Sequence, residues 1–220
     1  VLRRGLSDYP ALMDGKFPQI IEQINDGIEQ ANICDANDSL RGIEGNIARM
    51  YFSALDELIL NQKEDFYIRE RSRRPPLDPM NALLSFLYVI LMNDVQSALE
   101  MVGLDPYVGF MHTDRPGRPS LALDMMEELR PYLVDRLALS LVNMHMVSGK
   151  GFEKNGIGVQ MNDETRKTVI GAWQKRKQRT ITHPYLKEKI EIGLIPYAQA
   201  MLMSRYLRVD IDGYPPYFST

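Results

Sequence analysis

The chain has 220 residues and a mass of 25.3 kDa, with 45% hydrophobic and 25% charged side chains and a formal net charge of −3. That is enough apolar material for a sizeable core, which excludes wholesale disorder, and the near-neutral total gives no global attraction to nucleic acid or membrane. The charge is unevenly spread: residues 1–65 hold 12 acidic and 6 basic side chains, residues 149–189 hold 4 and 10. Local patches therefore matter more for binding than the sum. The single cysteine, Cys34, excludes an intrachain disulfide framework and a Cys-rich zinc site, and fits a reducing, cytoplasmic setting. The longest apolar run, roughly residues 82–92, is too short for a bilayer, no signal peptide opens the chain, and no membrane partner is expected. The chain starts at Val1, not Met, the mark expected of a fragment or processed product.

In chain order, apolar residues at Phe17, Ile20, Ile21, Ile24 and Ile28 predict a helix over 16–33. Ser39 is a candidate N-cap for a second, with Leu40, Ile43, Ile47, Met50, Ala54 and Leu58 on one face. Pro75, Pro76 and Pro79 make 61–79 a loop, and Asp78 followed by Pro79 starts an apolar helix running to Gly103. After a Gly/Pro loop over 106–119, Ser120 should cap a helix to about Leu129, which Pro131 kinks or breaks before a further apolar stretch, 132–147. Residues 148–163 read as loop or hairpin, with 157–161 a strand candidate. Helices follow near 164–179 and 185–206, and the tail from Asp210 is irregular. The expected class is all-α with at most a minor hairpin: a single helical domain over 1–220, with 1–36 as a lead-in.

Asp124, Glu127 and Glu128 fall at i, i+3 and i+4 on the helix after Ser120, three carboxylates on one side that repel unless a cation sits among them. Alone, they read as a solvated acidic face. Twelve residues earlier, His112 follows Val108, Phe110 and Met111 at the entry to the Gly/Pro loop. Imidazole with carboxylate oxygen is the ligand chemistry of a Mn²⁺ or Mg²⁺ nuclease site, not of a structural zinc site. Glu44 borders the buried stripe of the second helix between Gly42 and Gly45, which are helix-weakening residues tolerated where a ligand or backbone comes close; a packing glycine pair with a surface glutamate is the plainer alternative.

Basic residues surround these positions: Arg41 and Arg49 near Glu44, Arg115 and Arg118 after His112, four arginines in 69–74, and Lys175, Arg176, Lys177 and Arg179. Arginines interleaved with a metal-type acidic cluster make sense if phosphates bridge them. His145 reads as a hydrogen-bonded core residue, His183 as a loop or cap residue, and Trp173 as packing. No Walker loop, dinucleotide fingerprint or hydrolase elbow is present.

Leu40 to Gly45 (LRGIEG), Arg73 to Leu84 (RRPPLDPMNALL), Gly109 to His112 (GFMH) and Arg115 to Pro131 (RPGRPSLALDMMEELRP) together resemble the CRISPR-associated spacer-acquisition endonuclease/integrase family. Ala172 to Lys177 and the ending Tyr214 to Phe218 resemble its subtype I-C branch. The resemblance implies a helical catalytic domain with one divalent-metal site, Mg²⁺ or Mn²⁺, held by Glu44, His112 and Glu127, with Asp124 beside the metal as a further catalytic residue and Glu128 without a direct part. It implies DNA contacts from Arg41 and Arg115; Arg49, Arg118, Lys175, Arg176, Lys177 and Arg179 would extend that track. The implied partners are double-stranded DNA (spacer precursor and CRISPR repeat), a second copy of the chain and the small Cas two protein. The implied reaction inserts captured DNA fragments into the CRISPR array, by attack of a 3′-hydroxyl on a repeat phosphodiester, for antiviral defence. The family's N-terminal β-rich domain is expected to be missing here, which bears on dimerisation. The competing readings are a non-catalytic helical scaffold that binds nucleic acid or protein, and an unrelated helical metallohydrolase acting on nucleotides.

Overall fold

The computed structural model of the chain describes residues 1–113 and 115–218, and every side chain among them except that at position 37. It is 60% helical, with two small antiparallel hairpins, so the all-α class holds. The chain divides into two compact units, 1–85 with 138–165 and 86–137 with 166 onward, and three helices run from one into the other.

In the first unit, α1 (Leu2–Asp8) and a 3₁₀ turn precede α2 (Phe17–Asn32) and α3 (Asn37–Glu57). The helix expected to follow an N-cap at Ser39 begins three residues earlier, after an extended Ala36 and with no side-chain cap. α2 and α3 approach closely at Gly27, where a Cβ would lie 2.8 Å from Ile47 Cγ1. Leu55, Ile59 and Phe66 are fully buried. Beyond α3 the chain is tied by Asn143, whose Oδ1 accepts from the Leu60 N–H (2.8 Å) and whose Nδ2 donates to Leu58 O (2.9 Å). β1 (Phe152–Asn155) and β2 (Gly158–Met161) pair in register Phe152 to Met161, and Phe152 stands edge-on to Phe66. The proline loop closes on this hairpin: the Val159 N–H donates to Pro76 O at 2.8 Å.

α4 (Pro79–Met101) starts as Asp78-Pro79 predicts, with Asp78 Oδ1 accepting the Asn81 N–H at 2.7 Å. Burial raises the Asp78 carboxyl above the usual carboxylate range against the pull of its hydrogen bonds to Asn81 and the charge of Arg71. At 23 residues α4 is longer than the apolar run visible in the sequence, and its length and apolarity would suffice to cross a membrane; half of that window is buried inside the protein, as in a core helix.

In the second unit, α5 (Ser120–Arg130) follows Pro119; Ser120 is its first residue and fully buried, not its cap. Pro131 does not break the helical run. It opens a π-helical turn over Pro131–Asp135, in which the Arg136 N–H donates to Pro131 O five residues back, and α6 (Arg136–Asn143) follows without a gap. The wider turn accommodates a residue with no N–H to give. α7 (Asp163–Lys177) falls where the sequence places it. The helix expected over 185–206 is shorter: β3 (Thr180–Thr182) pairs with β4 (Lys189–Glu191), and only α8 (Ile195–Leu207) is helical, with Pro196 in its first turn. α5 packs on α8, where Gln199 Nε2 donates to Glu128, and Leu129, Ile195 and Ala200 on these helices are fully buried.

Candidate metal centre

The beginning of α5 is pinned by the loop before it, because Pro106 O accepts the Leu121 and Ala122 N–H groups (2.9 and 3.2 Å). One turn in, the Asp124 side chain is only 3% exposed and turns back into that loop. Its Oδ2 accepts the Phe110 and Met111 N–H groups (2.7 and 3.0 Å), and its Oδ1 accepts the His112 N–H (2.9 Å) and faces His112 Nδ1 at 2.6 Å. Gly109 makes the approach possible: a Cβ there would lie 2.7 Å from Asp124 Oδ2 and 2.8 Å from Ser120. Burial pushes the Asp124 carboxyl up, but the bonds from the His112 ring and from the Met111, Phe110 and His112 amides outweigh it and hold it below the usual carboxylate range. An ionised carboxylate only accepts, so Nδ1, the ring nitrogen that faces it, carries a proton, and in the neutral imidazole Nε2 is then the nitrogen with the lone pair. Nε2 makes no hydrogen bond among the described residues. Asp124 is thus fully engaged in orienting a histidine and is not an open ligand.

One turn further, the half-exposed Glu127 carboxylate takes both its oxygens to Arg130 Nη1. That guanidinium stacks 4.4 Å from the Tyr88 ring centroid, and the Tyr88 hydroxyl donates to the buried Asp135 at 2.6 Å. Its proton is held more firmly than in a free arginine: burial weakens it, and the nearby Tyr88 oxygen and the Glu127 and Asp135 carboxylates more than compensate.

Glu128 turns the other way, into the protein. Its carboxylate accepts from the Tyr214 hydroxyl, from Gln199 Nε2 (3.0 Å) and from the Tyr217 N–H (2.7 Å), fastening the C-terminal segment to α5. Burial pushes its carboxyl up despite those three donors. Gln199, fully buried, also faces His183 Nε2 through its Oε1 at 3.1 Å. His183 is therefore a core histidine whose Nδ1 accepts the Tyr185 and Leu186 N–H groups, whereas His145 is exposed, just past the end of α6, with φ +54°. The expected roles of these two histidines are reversed: α6 ends before residue 145, and the second hairpin buries residue 183.

Glu44 belongs to the first unit, on α3, where it is exposed and makes no hydrogen bond or ion pair among the described residues. A Cβ on Gly42 or Gly45 would meet nothing within 4 Å, so the close approach suggested by those glycines is not found. Arg41 bonds Asp38 and Arg49 bonds Asn46, both within the helix. Arg115 is exposed and Arg118 half-buried. Of the late basic run, Lys175 and Arg179 are exposed, but Arg176 is turned inward, its guanidinium donating to Tyr132 O and stacking on that ring, and Lys177 is spent on Asp94 (2.9 Å). Burial lowers the proton affinity of Arg176 below that of an ordinary arginine. The four-cation track is thus reduced to two outward cations. Trp173 packs, as expected, its indole N–H reaching Asp94 at 3.3 Å.

Among the described residues no three His, Cys, Asp or Glu side chains form a group able to hold a metal ion. The second unit supplies two donors of suitable chemistry, His112 Nε2 and the Glu127 carboxylate. Sequence reasoning missed Arg130, Tyr88, Asp135 and Gln199; an arginine three residues after a carboxylate on one helix was the available sign for the first.

In this helical fold a buried carboxylate orients a histidine, one turn from a second acidic side chain. The chain belongs to the CRISPR associated protein Cas1 family, whose sequence model matches residues 1–175. It is 58% identical over 182 residues to a CRISPR-associated endonuclease Cas1 of Rhodospirillum rubrum, an alignment covering 82% of this chain and 53% of that protein. The chain thus spans about half the length of that relative. Among solved structures it is similar to a CAS1 protein from Thermotoga maritima (28% identity, TM-score 0.76, 90% of this chain and 59% of that one). It is also similar to a chain of a Cas6-RT-Cas1–Cas2 complex (25% identity, TM-score 0.82, 99% and 23%).

Proposed function

We propose that this chain is the catalytic part of a divalent-metal-dependent DNA endonuclease/integrase of CRISPR adaptation. It would join the 3′-hydroxyl of a captured DNA fragment to a phosphodiester of the CRISPR repeat. The observation that carries the reading is the Asp124–His112 clasp: an ionised carboxylate, three backbone amides and one imidazole leave Nε2 as the oriented outward nitrogen of the ring. The donor chemistry fits Mn²⁺ or Mg²⁺, which His112 and Glu127 would hold with Glu44, the last assigned from the LRGIEG motif alone. When bound, such an ion supplies positive charge to the scissile phosphate.

The chain's own residues do the rest. Asp124 holds a His112 ring proton on Nδ1, which fixes the tautomer of the neutral ring and aims Nε2 away from the carboxylate. Arg41, Arg49, Arg115 and Arg118, with Lys175 and Arg179, would take the DNA backbone as charge-assisted donors. Strand transfer forms one P–O bond from the incoming 3′-oxygen and breaks one P–O bond of the repeat; hydrolysis at the same site uses water as the nucleophile. The small Cas two partner is proposed from the complex that contains a similar chain, and the homodimer from the family resemblance.

Calorimetric titration of Mn²⁺ into the chain and its Glu127→Ala and His112→Ala variants, beside a strand-transfer assay on repeat DNA, tests the reading. Loss of binding and of transfer in both variants, with melting temperature retained, is the expected result. Full Mn²⁺-dependent transfer by His112→Ala would refute it and favour a scaffold role.

A further inference from the structure

We infer that Arg130 is a resident cation for Glu127: it occupies the carboxylate that a divalent metal must take over and so sets how tightly the chain loads its metal. The inference rests on the proposed role of Glu127 as a metal ligand. Three observations carry it.

The first is geometry. A single guanidinium nitrogen, Nη1, bonds both Glu127 oxygens, the chelating position that a divalent ion would use. The second is the charge balance. Arg130 is hydrogen-bonded to Glu127 and lies in the field of Asp135; Asp135 is 1% exposed while the Glu127 side chain is 39% exposed. A fully buried anion cannot be left without a countercharge, whereas a half-exposed one can exchange its partner with solvent or with another cation. Of the two carboxylates, Glu127 is therefore the more readily released.

The third is what remains when Glu127 leaves. The guanidinium keeps the Tyr88 ring, 4.4 Å from its centre, and the field of Asp135, which the Tyr88 hydroxyl fixes at 2.6 Å. Its Nε makes no hydrogen bond among the described residues, so charge and ring stacking, more than a full set of hydrogen bonds, hold it in place. The cation stays put while the carboxylate changes hands. In the unloaded chain the arrangement neutralises Glu127 and so limits repulsion among the acidic side chains of α5. On loading, metal and guanidinium compete for the same two oxygens, and their like charges repel at short range.

The test is Mn²⁺ affinity, measured by calorimetry on the whole chain. The double variant Arg130→Gln/Asp135→Asn removes the competitor without stranding a buried anion, and should bind Mn²⁺ about tenfold more tightly or better. Arg130→Lys keeps a competing charge and should stay within about threefold of the unaltered chain. Equal or weaker binding by a cooperatively melting double variant overturns the inference while leaving Glu127 a ligand, provided Glu127→Ala has lost binding. If Glu127→Ala binds as the unaltered chain does, both the ligand assignment and the inference fall. A second measurement needs no variant. In the unaltered chain the Arg130 guanidinium N–H signals, slowed by the ion pair, should exchange faster on Mg²⁺ addition; signals that do not respond to saturating Mg²⁺ overturn the inference.

Discussion

Replacing Asp124 with Asn changes one atom and removes the charge on which four contacts converge. The amide must face either the Phe110 and Met111 N–H groups or the His112 N–H and ring with its own NH₂, so two of the four donors lose their acceptor whichever way it flips. A hydrogen bond to a charged group is worth about 1.5–3 kcal/mol, so two lost bonds cost the loop over 109–112 about 3–6 kcal/mol. The loss should be local, since Pro106 still accepts from Leu121 and Ala122 behind the loop. Amide hydrogen exchange at Phe110, Met111 and His112 should therefore accelerate roughly a hundredfold or more, at 1.36 kcal/mol per decade. If instead the amide turns its NH₂ to the imidazole, the ring proton moves to Nε2, which ¹⁵N spectra of His112 report directly. The second route removes the oriented donor and should abolish Mn²⁺ binding; the first keeps the Nδ1 bond but loosens the loop that carries the ring, and should weaken binding. Asp124→Asn with unchanged exchange, the same His112 tautomer and native Mn²⁺ affinity would refute the clasp.

His183 gives a pH signature. Burial depresses its pKa against the opposing pull of its bond to Gln199, so the unfolded chain takes up a proton before the folded one does. Stability should be fully present above the unfolded value of about 6.5 and fall as pH drops below it. His183→Asn should flatten that slope in pH-dependent urea melts; an unchanged slope counts against the buried neutral ring. Glu128→Ala removes the acceptor of Tyr214, Gln199 and Tyr217 at once. It should cost about 2–4 kcal/mol and open the C-terminal segment to limited proteolysis. Its strand transfer should remain above that of Glu127→Ala; the reverse order would show that the wrong carboxylate of α5 was chosen.

Periodicity and punctuation determine the helical class, α2, α7, the Asp78-Pro79 start of α4, the loop over 106–119 and the hairpin at 152–161, because each is set by residues within a few positions of one another. Spacing also brought Asp124, Glu127 and Glu128 to one helix and flagged His112. What the sequence could not say is what each carboxylate does. At i, i+3 and i+4 the three look alike, and only the neighbours brought by the fold separate them: loop amides and an imidazole for Asp124, a stacked guanidinium for Glu127, and a tail returning from residue 214 for Glu128. The same holds for the histidines and for Arg176 and Lys177, which look like surface cations until Tyr132 and Asp94 meet them across 44 and 83 residues of chain. Hydrophobic patterning places a side chain on a face, but its charge state and its partner depend on burial and long-range contact, which a local pattern does not contain.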